Sequence, residues 1–409
     1  MYIFSFILLL VFVATSTKDN YFHQGDERAH RSNLEILQKN GIGKTYLHQY
    51  YGMAGPLYPV IQHLLLPVTR EKASRMRLVN ISFLFIFLLL AFYGLGDRSV
   101  NPWYVMALPM TIVCSGYALT IMPSLVFLLC AILLLTKYGE QRNPKFSHFS
   151  LFLSGILLAL AVLMRLNLLI LIVPFLGWIW LRDKEESSWM RVLELIGFLL
   201  GLVPLLLFTF IAWEGLIPTQ AKLSFLESNR AWLQSYSITH GLLNLAFMAS
   251  IFFLLTPHWY IRKIITMRVW LGIAILLFVL NYFTNLFNYV PALSFFEKFE
   301  LPNYLFHLIG IFFGSVTIIL CLIFLVNFYY RLRENRTNRL YIFSAVGLFL
   351  LAATIFKVDY IFSSRYALQA LPFVMIMGAY YGSDKQWAHL IRYAGILIGF
   401  VMYFSFRNI

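Results

Sequence analysis

Long, unbroken apolar runs recur from one end of this chain to the other, separated by short polar loops, and only one polar stretch, Lys18 to Arg77, interrupts the rhythm. A hydrocarbon core of about 30 Å takes roughly 20 helical residues to cross. The pattern therefore predicts an all-α, polytopic transmembrane bundle. The runs are continuous rather than alternating, which excludes a β-barrel. Thirteen helices are predicted, over 2–16, 78–95, 103–117, 118–136, 149–164, 166–181, 192–212, 240–256, 269–286, 303–328, 340–356, 366–381 and 391–406, giving 11 to 13 spans. Two apolar stretches, Trp103 to Leu135 and Phe149 to Leu181, are each about 50 Å long as straight helices, too long for one span even when strongly tilted. Each is expected to fold as a tight hairpin, broken at Ser115-Gly116-Tyr117 with Pro123 in the first and at Arg165-Leu166-Asn167 in the second. The first run, Tyr2 to Ala14, lacks the basic n-region of a signal peptide and is read as a span.

Composition agrees. Of 409 residues, 60% are hydrophobic and 12% charged, where soluble domains carry about 25% charged residues. No separate soluble domain is expected; residues 1–409 form one membrane-embedded unit, with 17–77 as a first external loop of short interfacial helices. The net charge of +14 does not point to nucleic acid, because the basic residues are scattered among short loops and form no continuous face. They report sidedness instead. Downstream of residue 136 one set of alternate loops holds 15 Lys and Arg and the other 7. The richer set, including Arg331, Arg333, Arg336 and Arg339, belongs in the cytoplasm. Asp26, Arg165, Asp359 and Arg365 then share the opposite face. The three cysteines lie in apolar runs and carry no redox or metal signal.

The first external loop opens with the adjacent acids Asp26-Glu27, within a segment that reads as one helix ending near Gly41. On it Asp26 and His30 share a face, as do Glu27 and Arg31. One reading is structural, with Asp26 as N-cap, Gly41 as C-cap and Glu27–Arg31 as a solvated ion pair. The other is chemical. Asp26 accepts a proton from an acceptor hydroxyl, and Glu27 orients the loop or joins Asp26 in holding a divalent cation, Mg or Mn. Neither His23 nor His30 shows a recognised metal-ligand spacing. The stretch Tyr50 to Pro59, containing Tyr58, is either an interfacial tyrosine belt or a loop returning over a lipid-facing groove.

Two arginines stand where a cation is costly. Arg165 interrupts an apolar run, at a cost of at least about 2.5–3.5 kcal/mol, and Arg365 opens the twelfth predicted helix. Each is either structural, Arg165 snorkelling and Arg365 pairing with Asp359, or a fixed guanidinium for two phosphate oxygens.

An Asp-Glu pair just after the first span resembles the polytopic glycosyltransferases of the GT-C superfamily, particularly the bacterial family 39-like and aminoarabinose transferase-like members. Ala118 to Leu125 looks like the segment opening their fourth span, with Ile121 where an acid is common. Leu163-Met164-Arg165-Leu166-Asn167 looks like their Arg-containing turn, and Arg365 to Pro372 like their late Arg-Tyr-x-Leu-x-x-x-Pro element. The resemblance implies a polyprenyl-phosphate sugar donor, a lipid, glycan or protein acceptor, and single displacement with inversion. It implies Asp26 and Glu27 as catalytic residues, Arg365 and Arg165 on the donor phosphate, and His30, Arg31, Tyr58 and Tyr366 near the substrate. It also implies a bacterial inner membrane with the site on the external face, an endoplasmic reticulum protein being the alternative. This chain departs from larger members in its expected lack of a soluble external domain. The rival functions are a transporter or lipid flippase, and a polysaccharide polymerase or ligase.

Overall fold

The computed structural model describes residues 10–18, 21–22, 25–52, 54–138, 144–181, 188–227, 236–260, 267–287, 302–357, 364–381 and 386–407. Every regular element among them is helical. Residues 10–16 form α1, and the polar stretch follows as α2 (Gly25–Asn40), α3 (Lys44–Gln49), α4 (Leu57–Leu64) and α5 (Leu66–Thr69). The apolar part continues with α6 (Ala73–Leu90), α7 (Pro109–Gly116), α8 (Ile121–Tyr138), α9 (Pro144–Met164), α10 (Ile172–Trp180) and α11 (Ser188–Trp213). It ends with α12 (Thr219–Glu227), α13 (Ile238–Leu255), α14 (Met267–Thr284), α15 (Asn303–Glu334), α16 (Arg339–Thr354), α17 (Arg365–Leu368), α18 (Leu371–Gly378) and α19 (Gln386–Arg407).

Six helical segments are long and apolar enough to cross a membrane, and a seventh span results if α7 and α8, bent by 110° at their junction, count as one. Only 33% to 56% of each apolar window in the six is buried inside the protein. The rest presents apolar side chains outward, as a lipid-bathed multi-pass membrane protein requires.

Both expected breaks are present. Tyr117 is extended between α7 and α8, and Arg165 is extended (φ −146°, ψ 100°) where α9 stops. The segments beside these breaks are less regular than the hydropathy suggested. Residues 103–117 do not form one α-helix: Pro102–Ala107 is a 3₁₀ helix and Pro109 restarts the chain as α7. Leu166–Leu171 is likewise 3₁₀ before α10 begins. In both places a proline or an extended residue removes the i to i−4 bond that would continue the α-helix.

Small residues set the crossing of α9 and α11. A Cβ on Gly155 of α9 would lie 2.2 Å from the carbonyl oxygen of Phe198, and one on Gly201 of α11 would lie 2.1 Å from that of Phe152. The two backbones touch through reciprocal glycines, the arrangement that lets apolar helices pack where water supplies no driving force. At one end of the bundle arginines tie helix ends together. Arg331 donates to the carbonyls of Trp259 (2.6 Å) and His258 (2.9 Å), and Arg392 donates to those of Leu254 (3.2 Å) and Leu255 (2.9 Å). The first polar loop covers the other end.

Candidate functional site

Helix α2 turns a stripe of Glu27, His30, Asn33, Leu34 and Leu37 inward. These positions recur at three and four residues, the period of one helical face. The helix closes as expected: Gly41 has φ +71° and its N–H donates to Leu37 O at 2.8 Å.

The two acids of the opening pair point to different partners. Glu27 is fully buried and accepts from Arg77 Nε and Nη2, both at 3.0 Å, and from the backbone N–H of Ala118 at 2.8 Å. Arg77 also donates to the carbonyls of Ser16 and Tyr21 and lies over the Tyr117 ring. Glu27 therefore pins α2 to α6 and to the break before α8. The expected Glu27–Arg31 pair is not formed. Arg31 pairs with Glu35 at 3.2 Å, half exposed, and stacks over Phe22. The side chain expected near the substrate is thus engaged with Glu35 and Phe22.

Asp26 faces the cluster formed by the two breaks. Its carboxylate receives a hydrogen bond and ion pair from Arg365 at the start of α17, 339 residues away. Arg165 stands beside them, its guanidinium 5.3 Å from the Tyr366 ring centroid and Nη1 at 3.5 Å from the Thr120 hydroxyl. With its carboxamide oxygen turned inward, Gln369 accepts from Arg165 Nε and Nη2 at 3.1 Å each. Asn167 meets the same carboxamide.

Backbone contacts hold this cluster in place. Asn80 donates through one amide nitrogen to the carbonyls of Cys114 (3.1 Å), Tyr117 (2.7 Å) and Leu119 (3.0 Å), capping the end of α7, and its oxygen accepts from the Tyr58 hydroxyl at 3.2 Å. Gly55 donates to Met164 O at 3.1 Å, and a Cβ there would lie 1.9 Å from Leu163 O. The Tyr50 to Pro59 turn is thus seated on the end of α9, directly before Arg165. Tyr58 is buried, its ring edge-to-face with His30 at 4.8 Å. It braces the site rather than lining it.

The charges at this cluster do not cancel. Arg165 and Arg365 face one carboxylate, Asp26, and among the described residues no carboxylate lies within ion-pair distance of Arg165. Burial works to raise Asp26, but Arg365, His30 and Arg165 together outweigh it and hold its carboxyl below the usual range. Burial pushes His30 down to about 4, against the pull of Asp26 and with the help of Arg165 and Arg365. At neutral pH the cluster is an aspartate, a neutral imidazole and two guanidiniums, a surplus positive charge in a partly desolvated place. Arg365 Nε and His30 Nδ1 are buried with no hydrogen-bond partner among the described residues.

A divalent cation at Asp26 and Glu27 does not fit. Both Glu27 oxygens are held by Arg77, Asp26 is held by Arg365, and the described residues contain no group of three or more His, Cys, Asp or Glu that could hold a metal. Hard cations need several free oxygen ligands, and two guanidiniums beside the one remaining acid oppose them.

Of the residues expected from sequence, Asp26, His30, Arg165, Arg365 and Tyr366 come together. Asp359 and His23 lie outside the described residues. Thr120, Asn167 and Gln369 at the site, and Arg77 and Asn80 beneath it, were not anticipated. Asn167 and Gln369 lie inside the Arg-containing segments that drew attention for their cations alone. Comparison with family models, curated proteins and solved structures gave no match for this chain.

Proposed function

We propose that this chain is a membrane glycosyltransferase of GT-C type, moving a sugar from a polyprenyl-phosphate donor to a lipid, glycan or protein acceptor on the non-cytoplasmic face. The observation that carries this reading is the meeting of Asp26 with Arg365 and Arg165, an acid from the start of the chain with two cations from hundreds of residues later. A partly buried site with surplus positive charge selects an anion, and planar guanidiniums suit the oxygens of a phosphate. Arg165 and Thr120 reach it from the ends of the apolar helices α9 and α8, where an isoprenoid-tailed anion has its tail. The neighbouring acid supplies what a phosphate-binding site alone does not: a group that orients an attacking hydroxyl and steadies positive charge at the anomeric carbon. As donor phosphate leaves, its growing charge is met by Arg365 and Arg165. A site on the external face, the side that the distribution of basic residues gives it, suits a donor delivered through the bilayer, since nucleotide sugars stay in the cytosol.

The test is label transfer by purified protein from a radiolabelled polyprenyl-phosphate sugar to a crude lipid or glycan acceptor fraction. Asp26→Asn is expected to lower transfer by about 10²- to 10⁴-fold, and Arg365→Ala to weaken donor use. Transfer untouched by Asp26→Asn removes this acid from the mechanism.

One observation favours a transporter instead. Asn244, in the apolar helix α13, is fully buried, with neither amide atom partnered among the described residues, and polar groups inside spans mark transport paths. Movement of labelled lipid between leaflets of proteoliposomes, with no sugar transfer, would establish that alternative.

A further inference from the structure

Resting on the glycosyltransferase reading, we propose that His30 is a catalytic residue, the group that takes the proton of the attacking hydroxyl, and that arrival of the donor phosphate enables it. The argument starts from Asp26. Its carboxylate already receives the Arg365 guanidinium, and a carboxylate so paired has little affinity for a proton. It serves better as a fixed charge than as a base.

His30 lies one turn further along α2, on the same face as Asp26. It is 6% exposed, its ring is held edge-on against Tyr58, and Nδ1 is buried without a partner among the described residues. In the tautomer protonated at Nε2, Nδ1 carries the lone pair. A buried imidazole nitrogen with nothing bonded to it is costly unless a substrate group completes it.

The groups acting on His30 are Asp26 on its own helix, Arg165 at the end of α9, Arg365 on α17 and the neutral Tyr58 phenol on α4. In the free protein the two cations outweigh the single anion, and burial adds to the same effect, so His30 is a poor proton acceptor. An anionic donor changes that balance. Its phosphate pairs with Arg365 and Arg165, draws Arg365 from Asp26, and cancels the surplus positive charge that acts on His30. The proton affinity of His30 then rises. The acid and the histidine act as a pair that becomes basic only when donor is present.

In the step itself the acceptor oxygen forms its bond to the anomeric carbon while its O–H bond breaks and the proton moves to Nδ1 of His30. The bond from the anomeric carbon to the phosphate oxygen breaks, and its electron pair leaves with the polyprenyl phosphate. His30 later returns the proton to water.

Calorimetry in buffers of different ionisation enthalpy tests this. The ligand is a prenyl sulfate, whose anion takes up no proton near pH 6. Wild-type protein should gain a proton from buffer on binding, and His30→Gln should bind the same ligand without that gain. At saturating sugar donor His30→Gln should lose about 10²- to 10⁴-fold in turnover with donor affinity retained, and the rising limb of the pH–rate profile should disappear. Proton uptake unchanged in His30→Gln, no uptake by wild type, or turnover near wild type in the variant would each overturn the proposal while leaving donor binding intact. Failure of wild type to bind either prenyl sulfate or polyprenyl phosphate overturns it together with the reading on which it rests. The uptake by wild type is informative even if His30→Gln does not fold.

Discussion

At the scale of single residues, the two adjacent acids divide their work, and stability measurements will separate them. Glu27 and Arg77 are both fully buried with every carboxylate oxygen engaged. Removing one partner leaves the other charge stranded, at a cost of about 3–5 kcal/mol. Glu27→Gln should therefore lower the melting temperature in detergent steeply. Asp26→Asn should not: its side chain is 43% exposed and that of Arg365 24%, and a partly solvated ion pair contributes about 0–1 kcal/mol. An Asp26→Asn protein that is stable but inactive, beside an unstable Glu27→Gln protein, is the expected outcome of fluorescence melts run alongside transfer assays. Equal stability losses would contradict the division. His30 adds a pH dependence whose sign follows from its environment. Its pKa falls from 6.5 in the unfolded chain to about 4 in the fold, so between those values the unfolded chain binds more protons. The contribution is complete above pH 6.5 and is lost as pH falls toward 4. Asp26 is also depressed, and its contribution is lost only below its unfolded value of 3.8. Melting temperatures should thus decline from pH 6.5 to 4 in wild type, and His30→Phe should flatten that decline.

At the scale of elements, the site is assembled by helix breaks, and the tightest constraint on it is the seat of the Tyr50 to Pro59 turn. A side chain at Gly55 meets the backbone of Leu163 well inside contact distance, and backbone cannot swing aside as a side-chain tip can. Gly55→Val should push the turn off the end of α9, with a cost of about 1–3 kcal/mol from overpacking and a larger loss of transfer activity through displacement of Arg165. Gly177→Ala, in α10 where an added Cβ meets nothing within 4 Å, is the control and should be silent in both assays. The breaks themselves were legible in the sequence, since a cation and an asparagine inside an apolar run, or Gly-Tyr before a proline, cannot continue a buried helix cheaply. Helix α2 was legible from its periodicity and its terminal glycine. What each break touches was not. Arg77 looked like the last polar residue before a span, and nothing local tells that it reaches back fifty residues to Glu27. Gln369 and Thr120 are uncharged residues in apolar surroundings, ordinary until the fold sets Arg165 between them. The Glu27–Arg31 pairing failed for the same reason, a buried long-range partner outcompeting a solvated neighbour one turn away.

At the scale of the whole molecule, the parity of the crossings makes the number of spans measurable. Helix length and hydropathy alone give six spans, or seven with the bent pair α7–α8 as one. Hydropathy of the sequence gives thirteen, because it counts segments that the fold divides into 3₁₀ and α pieces, such as 102–116, 166–180 and 365–381. Such broken segments are tolerated in a membrane when neighbouring helices satisfy their backbone, as Asn80 does at the end of α7. Three exposed positions distinguish the counts: Thr45 in the first loop, Ser188 at the start of α11 and Thr337 after α15. With thirteen spans, five lie between Thr45 and Ser188 and nine between Thr45 and Thr337, so both distant positions face away from Thr45. With seven spans, two precede Ser188 and it shares the side of Thr45. With six, four precede Thr337 and it is Thr337 that shares that side. Single cysteines at the three positions, labelled with a membrane-impermeant maleimide before and after permeabilisation, read the parity directly, since the native Cys114 and Cys321 are buried and Cys130 is partly so. The expected pattern is Thr45→Cys labelled from outside and both others only after permeabilisation. That places the Asp26 cluster outside and the arginine-rich loop at Arg331 to Arg339 inside, the orientation that the excess of basic residues dictates. Ser188→Cys or Thr337→Cys labelled together with Thr45→Cys would discard the thirteen-span topology. Labelling of Thr45→Cys only from the cytosol would put the acid and both guanidiniums where nucleotide sugars are available, removing the reason for a lipid-linked donor.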